Sequence, residues 1–279
     1  MLSYRHAFHA GNPADVLKHV VVVRCLAYLN QKEKPYLVVD THAGAGRYRL
    51  DDASAQKTGE YQQGIARLWH RQDLPEALRG YVQLVKEINS SDELTQYPGS
   101  PWLIRTLIRE QDRAIFYELH SKDHALLKRH LERKPQIITR CEDGLTGVIA
   151  LMPPNERRGL VLMDPSYEVK EDYQQVVSVL EKAHRRFATG TFLVWYPVVD
   201  RERISAMERA VKRTGIRNIK QFEFSTCPDF PGRGMSASGM FVVNPPWTLE
   251  QEMQQILPYL VDVMAPDQGS FRYKTLVAE

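Results

Sequence analysis

Residues 37–48 read LVVDTHAGAGRY. An apolar run ends in an acid, Asp40, and the first glycine of Gly44-Ala45-Gly46 follows four residues later. Strand, acid and glycine loop in that order open a nucleotide-type α/β sheet, because glycines let a ligand approach the backbone where side chains would block it. A G-x-G is weak evidence by itself, since many such matches are plain turns. Here it follows a strongly apolar strand and runs straight into Arg47-Tyr48, with no third glycine of the kind a dinucleotide phosphate loop carries. The position of Asp40 fits a binder of S-adenosylmethionine (SAM) better, with Gly44 and Gly46 as donor-side positions.

Outward from this loop, short apolar runs alternate with helical patterns. YLVVD (36–40), AIFYEL (114–119), QIITR (136–140), GLVLMD (159–164) and TFLVWY (191–196) read as strands, several of them apolar throughout, as a sheet covered on both faces requires. SKDHALLKRHLERK (121–134) and DYQQVVSVLEKAHRRF (172–187) read as helices between them. The alternation predicts an α/β fold with a doubly wound, mostly parallel sheet. IRNIKQFEFSTC (216–227) and ASGMFVVNPP (237–246) are joined by PDFPGRGMS (228–236), too short for a crossover helix, so an antiparallel pair is expected at the sheet end. Residues 49–97 break the rhythm. TGEYQQGIARLWHRQ (58–72) and PEALRGYVQLVKEIN (75–89) both have helical spacing, with Pro75 suited to a first turn. The expected organisation is a main domain of residues 1–48 and 98–279 with a helical insertion at 49–97. The insertion holds six Lys/Arg against eight Asp/Glu, so its charge does not mark it as an RNA platform.

Strand ends next to the loop carry further acids. A nucleoside binder needs an acid for the ribose hydroxyls about 20 residues past the glycines. Glu118 comes 72 residues after Gly46, and 23 once the 49-residue stretch 49–97 is set aside. After the following strand comes CEDG, whose Asp143 and Gly144 suit contact with an adenine ring, and after the next comes Asp164. Successive acids at the carboxyl ends of strands fall where open α/β sheets bind ligands.

The whole chain sets bounds. It has 279 residues, 43% hydrophobic and 25% charged, within the range of one large globular domain. No apolar run approaches the roughly 18 residues of a membrane span, and the N-terminal stretch has no signal-peptide core. Cys25, Cys141 and Cys227 are scattered and odd in number, which indicates neither a disulfide framework nor a zinc site. A cytoplasmic protein is expected. His6, His9 and His19 have no carboxylate or thiol at ligand spacing along the chain, so no metal is expected. The net charge of +3 permits a nucleic-acid partner without requiring one. Local basic clusters, at 122–134, 157–158, 185–186, 201–203 and 212–220, could follow a phosphate backbone or be solvated helix faces.

Two turns share one outline, VLMDPSYEVK (161–170) and FVVNPPWTLE (241–250). Methyl transfer to the N6 amino group of adenine is difficult because the nitrogen lone pair is delocalised into the ring. Acceptors that take both amino hydrogens favour a pyramidal nitrogen and count most in the transition state. Asp164 offers a carboxylate, Pro165 a backbone carbonyl, and Tyr167 a ring on which a flipped base can stack. The chemistry is assigned to 164–167, which follows an acid-bearing strand near the loop. Residues 244–247, on the presumed antiparallel strand, are assigned to a structural turn.

YRHAFHAGNPADVLKH (4–19), DTHAGAGRY (40–48), YPGSP (97–101), DPSYE (164–168) and GMSASGM (234–240) together resemble the RlmJ family of bacterial 23S ribosomal RNA adenine-N6 methyltransferases, over essentially the whole chain. The resemblance implies a class I SAM-dependent methyltransferase (Rossmann-like) fold with a helical insertion. It implies metal-free transfer to one adenine of 23S ribosomal RNA, adenine 2030 in the family. It implies donor-binding roles for Lys18, His19, His42, Ser100, Glu118, Asp143 and Gly144, with Asp164 as catalytic aspartate beside the donor and Tyr4 on the substrate side. Lys18 and His19 read from the pattern alone as the end of an amphipathic helix. One departure is Ser166, where the family has a second proline; losing that restraint costs about 0.4–1 kcal/mol. Slowed activity is expected, and a disabled corner is the alternative. Other readings are a SAM enzyme acting on DNA adenine, guanine N2 or a protein amide; a dinucleotide oxidoreductase; and a non-catalytic RNA-binding relative. The expected partner is naked 23S ribosomal RNA or an early assembly intermediate, with no membrane, and the expected state is a monomer.

Overall fold

A computed structural model describes residues 5–131, 134–229 and 234–279. Tyr4 and Phe230–Arg233, the latter in the joint between the last two expected strands, lie outside the described residues. The chain begins with helix α1 (Pro13–Leu29), started by Asn12, whose side chain accepts the Asp15 N–H, and by Pro13 in the first turn. Strand β1 (Leu37–Asp40) leads into the glycine loop. A short ribbon, β2 (Arg47–Arg49) paired with β3 (Gln96–Pro98), brackets helices α2 (Ala53–Thr58) and α3 (Glu76–Glu87). The chain continues through α4 (Ser100–Leu107), β4 (Arg113–Tyr117), α5 (Ser121–Leu131), β5 (Ile137–Arg140), α6 (Gly144–Leu151), β6 (Gly159–Met163), α7 (Asp172–Arg186) and β7 (Thr191–Val198). It ends with α8 (Arg201–Arg213), β8 (Ile219–Ser225), β9 (Ala237–Val243), α9 (Leu249–Met264) and β10 (Ser270–Val277).

The main sheet has the order β10-β8-β9-β7-β6-β1-β4-β5. Strands β5, β4, β1, β6 and β7 are parallel, and β9 enters antiparallel between β7 and β8. This is the class I methyltransferase arrangement, with the antiparallel pair where the turn-rich joint predicts it. The sheet does not end there. β10 adds an antiparallel edge beyond β8, an element whose mostly exposed residues gave no apolar run to read.

Alternation along the strands divides the core into two layers. Val38, Phe116, Leu160, Leu162 and Leu193 pack on the face covered by α1, α3, α4 and α9. Val39, Ile115, Val161, Met163 and Val194 pack on the opposite face, with residues of α6, α7 and α8. Within residues 49–97, Leu68, Leu78, Tyr81 and Val85 join the same core cluster as α1.

Two local expectations change. Residues 58–72 form two 3-10 turns, Glu60–Gln62 and Ile65–Arg67, because Gly59 turns left-handed at φ 63° and ends the preceding helix. Lys18 and His19 do not end an amphipathic helix. They sit in the first half of α1, where thirteen of seventeen residues are buried, because the apolar run from Val20 to Val23 carries the helix on across the sheet.

Candidate active site

Period-two alternation places three acids on one face. Asp40 follows Val38, Glu118 follows Phe116 and Asp164 follows Leu162, each two residues further along its strand and on the α1 side of the sheet. They end neighbouring strands at the carboxyl edge, around an open cavity of about 2160 Å³.

Asp40 does not reach the cavity surface. It is fully buried, accepting Ser100 Oγ–H at 2.6 Å and the His42 N–H at 3.2 Å, and burial pushes its carboxyl up to about 7. Its expected direct donor contact is therefore corrected: Asp40 ties the loop to the start of α4. Gly46 is buried between Ala45 and Arg47, loop positions that line the cavity, with a φ of 77° that favours glycine. Gly44 does line the cavity. Its φ is 60°, and a Cβ there would meet the Tyr48 hydroxyl at 2.2 Å. Its N–H donates to Glu118 Oε2 at 2.8 Å, while His120 N–H donates to Oε1 at 2.7 Å. Two backbone donors thus aim the Glu118 carboxylate, and each oxygen keeps a lone pair for a ribose hydroxyl.

Asp143 caps α6, accepting the Leu145 N–H at 2.9 Å and the Thr146 hydroxyl at 2.8 Å. Gly144 lets this helix start against the loop after β1, since a Cβ would meet Thr41 O at 2.1 Å. His42 Nδ1 lies 2.8 Å from Thr41 Oγ. The single hydroxyl hydrogen of Thr41 goes to Leu162 O, so Nδ1 is the donor and Nε2 is left as an acceptor. Burial pulls His42 down to about 4 and His19 to about 3. His19 Nδ1 is 2.8 Å from the Tyr97 hydroxyl, which is 2.8 Å from that of Tyr81.

At the other end of the cavity, Lys18 Nζ donates to Asp164 Oδ2 at 2.7 Å and to Asp15 Oδ1 at 2.8 Å. His6 Nε2 reaches the second oxygen of Asp15 at 2.8 Å. Burial disfavours the Lys18 ammonium, but Asp15 and Asp164 outweigh it and hold Lys18 protonated well above its ordinary range. Burial raises the Asp164 carboxyl, and Lys18 opposes that rise. Among the described residues, Oδ1 of Asp164 has no hydrogen-bond partner.

The turn after Asp164 is held tightly. Tyr167 has a left-handed φ of 54°, a conformation that costs a side-chain-bearing residue about 1–2 kcal/mol. Its hydroxyl donates to Trp195 O at 2.5 Å, and its ring lies 4.5 Å from that of Tyr173. Tyr167 lines the cavity but is only 8% exposed, so little of it is open for a base to stack on. The similar turn at 244–247 lies at the opposite sheet edge, where Asn244 donates to Ala188 O and Gly190 O, both at 2.8 Å.

The structure gathers Lys18, His19, His42, Gly44, Ser100, Glu118, Asp143, Gly144, Asp164, Pro165 and Tyr167 around one cavity. A family model described as "Ribosomal RNA large subunit methyltransferase D, RlmJ" matches residues 33–277. The chain belongs to the RlmJ family. It is 48% identical over 281 residues to the ribosomal RNA large subunit methyltransferase J of Haemophilus influenzae, covering all of both chains. It is 50% identical over 266 residues to the protein of that name in Escherichia coli K12, covering 95% of each. A crystal structure of a Legionella pneumophila protein superposes with a TM-score of 0.90 at 35% identity, over 96% of this chain and 98% of that one. A probable spermidine synthase of Corynebacterium glutamicum shares the fold alone, with a TM-score of 0.56 at 11% identity over 97% and 77%.

Sequence reasoning missed Asp15 and Trp195. Asp15 stands three residues before Lys18, a helical spacing that would have paired them. Trp195 follows the Met163–Val194 register pair just as Asp164 does, which puts their side chains on the same face of adjacent strands. Its ring lies 5.8 Å from Lys18 Nζ and 6.0 Å from the Tyr167 ring. No described helix is long and apolar enough to cross a membrane, and no described group of three or more His, Cys, Asp or Glu is arranged to hold a metal ion.

Proposed function

We propose that this RlmJ-family protein methylates N6 of one adenine in 23S ribosomal RNA, with SAM as donor. The observation that carries the proposal is the state of Asp164. Lys18 binds one carboxylate oxygen and favours the ionised form, which leaves the other oxygen to accept from an adenine amino group. Beside it, Pro165 O can accept the second amino hydrogen, and Tyr167 lies next to the space the base would take.

The residues at the far end suit the donor. The oriented Glu118 carboxylate fits ribose hydroxyls, and Asp143 and Gly144 at the α6 N-terminus line the same cavity and suit an adenine ring. SAM, when bound, supplies a methyl carbon on a positively charged sulfur. The nitrogen lone pair forms the new N–C bond while the S–C pair returns to sulfur, and the amino proton then leaves to Asp164 or to water. Asp164 and Pro165 favour the pyramidal nitrogen; Lys18 keeps the carboxylate from binding a proton too early. Ser166 leaves all these donors and acceptors in place, so the corner is read as active.

Residues 49–97 are read as an insertion into the domain of 1–48 and 98–279, bracketed by the β2–β3 ribbon. The protein is read as a cytoplasmic monomer acting on naked RNA or an early assembly intermediate. Membership of this family sets aside the oxidoreductase reading. The test is transfer from labelled SAM to unmodified 23S ribosomal RNA, followed by nucleoside analysis. Label in N6-methyladenosine is expected; label in another nucleoside overturns the adenine assignment.

A further inference from the structure

Five basic clusters stand out in the sequence, and the structure separates them. Residues 157–158, 185–186 and 212–220 lie before the starts of β6, β7 and β8 or at those starts, at the edge away from the cavity. Arg201 is taken by Glu223 and Asp229, and Arg203 by Asp200. The remaining cluster, on α5, borders the cavity.

There the cations converge from three segments. Arg47 leaves the glycine loop, Arg129 lies on α5, and both line the cavity. His130 Nδ1 is 2.8 Å from Ala45 O, which fixes the end of α5 against that loop. Further along, Lys134 Nζ donates to Arg105 O at 2.8 Å, joining α4 to the stretch after α5. None of Arg47, Arg105, Lys128, Arg129 and Lys134 has an ion-pair partner among the described residues. Arg105 Nε is buried with no hydrogen-bond partner, an unmet donor on a charged group. The positive field is felt locally. His130 is lowered by burial and by Arg47 and Arg129, and Lys134 by burial and by Arg105. Glu110 acts on Lys134 in the other sense but forms no ion pair with it.

We propose that Arg47, Arg129, Lys128, Lys134 and Arg105 form a track for the RNA phosphate backbone, running from the cavity rim along the α4–α5 face. The proposal rests on the RNA methyltransferase reading of the cavity. Arg47 and Arg129 line the glycine-loop end of the cavity, along which the backbone leading away from a base turned into it can pass. The neighbouring nucleotides then follow a surface whose cations form no ion pair among the described residues. The half-buried Arg105 guanidinium adds a positive charge, unpaired among the described residues, at the far end of the track.

The test is filter binding of labelled, unmodified 23S ribosomal RNA across a salt series, with methyl transfer measured in parallel. The triple variant Arg105→Gln/Arg129→Gln/Lys134→Gln is expected to bind at least about tenfold more weakly at low salt. The slope of log affinity against log salt should fall by about 2, at roughly 0.7–0.9 per lost phosphate contact. The charge-keeping pair Arg105→Lys/Arg129→Lys should retain most of the slope. SAM affinity reports folding, and Arg129→Glu alone, on an exposed position of α5, tests the track even if the triple variant is unstable. Wild-type transfer with unchanged binding and slope in Arg129→Glu and the triple variant overturns the track and leaves the reaction standing. Wild-type protein that neither binds nor methylates the RNA removes the reading beneath it, and the track with it.

Discussion

Lys18 Nζ and Asp164 Oδ2 lie 2.7 Å apart, joining the middle of a buried helix to the end of a central strand across 146 residues of sequence. The pair is nearly sealed from water, with side chains 5% and 14% exposed. Burial raises the carboxyl of the residue to which catalysis is assigned, and Lys18 opposes that rise in favour of the ionised form.

Lys18→Met should move the acid limb of the kcat profile to higher pH. Lys18 favours the carboxylate of Asp164, so its loss raises the pKa and demands a higher pH for the ionised form. The variant also leaves Asp15 without its ammonium, and stability should fall by about 3–5 kcal/mol. Single-turnover rates across pH, with urea melts alongside, check both effects. An unmoved limb would show that Asp164 ionisation does not limit the rate.

His42 should couple stability to pH. Its pKa is about 4 in the fold, against about 6.5 in an unfolded chain. Between those values the unfolded chain binds a proton that the folded chain refuses, so this contribution is complete above pH 6.5 and is lost as pH falls toward 4. His42→Gln removes that one proton. Its stability against pH should be shallower than wild type by about 1.4 kcal/mol per pH unit in that window. Equal slopes in urea melts would contradict a His42 held neutral in the fold.

Gly144→Ala should damage donor binding. The new methyl would enter the space of Thr41 backbone atoms, which cannot rotate away. The α6 start must shift, at about 1–3 kcal/mol, and Asp143 shifts with it. Calorimetry should show weakened SAM binding; unchanged affinity would place the donor away from this helix start.

Trp195→Ala should lower kcat/KM for RNA by about tenfold or more, because the Tyr167 ring and the Lys18 ammonium both lose a neighbour. SAM affinity should change little, and Trp195→Phe should recover most of the loss. A drop in SAM affinity equal to the drop in kcat/KM would point to general damage.

The parts of this molecule that were legible in the sequence are those that short-range pattern controls. Strands buried on both faces, such as Leu37–Asp40 and Gly159–Met163, read as apolar runs, and the three acids follow from where those strands end. β10 was illegible because an edge strand with one solvated face has no such run. Asp40 was legible as a strand-end acid, but its burial depends on Ser100, sixty residues away. Lys18 showed the same limit more sharply. Asp15 at helical spacing supplies one partner, but its second, Asp164, comes from 146 residues away and could not be read from the pattern around Lys18.

The most direct test of the account is the single-turnover rate of methyl transfer to unmodified 23S ribosomal RNA, at saturating SAM, for Asp164→Ala against wild type. The account predicts N6-methyladenosine as the wild-type product and a rate at least about a hundredfold lower in the variant. A variant rate within a few-fold of wild type would contradict the assignment of the chemistry to Asp164.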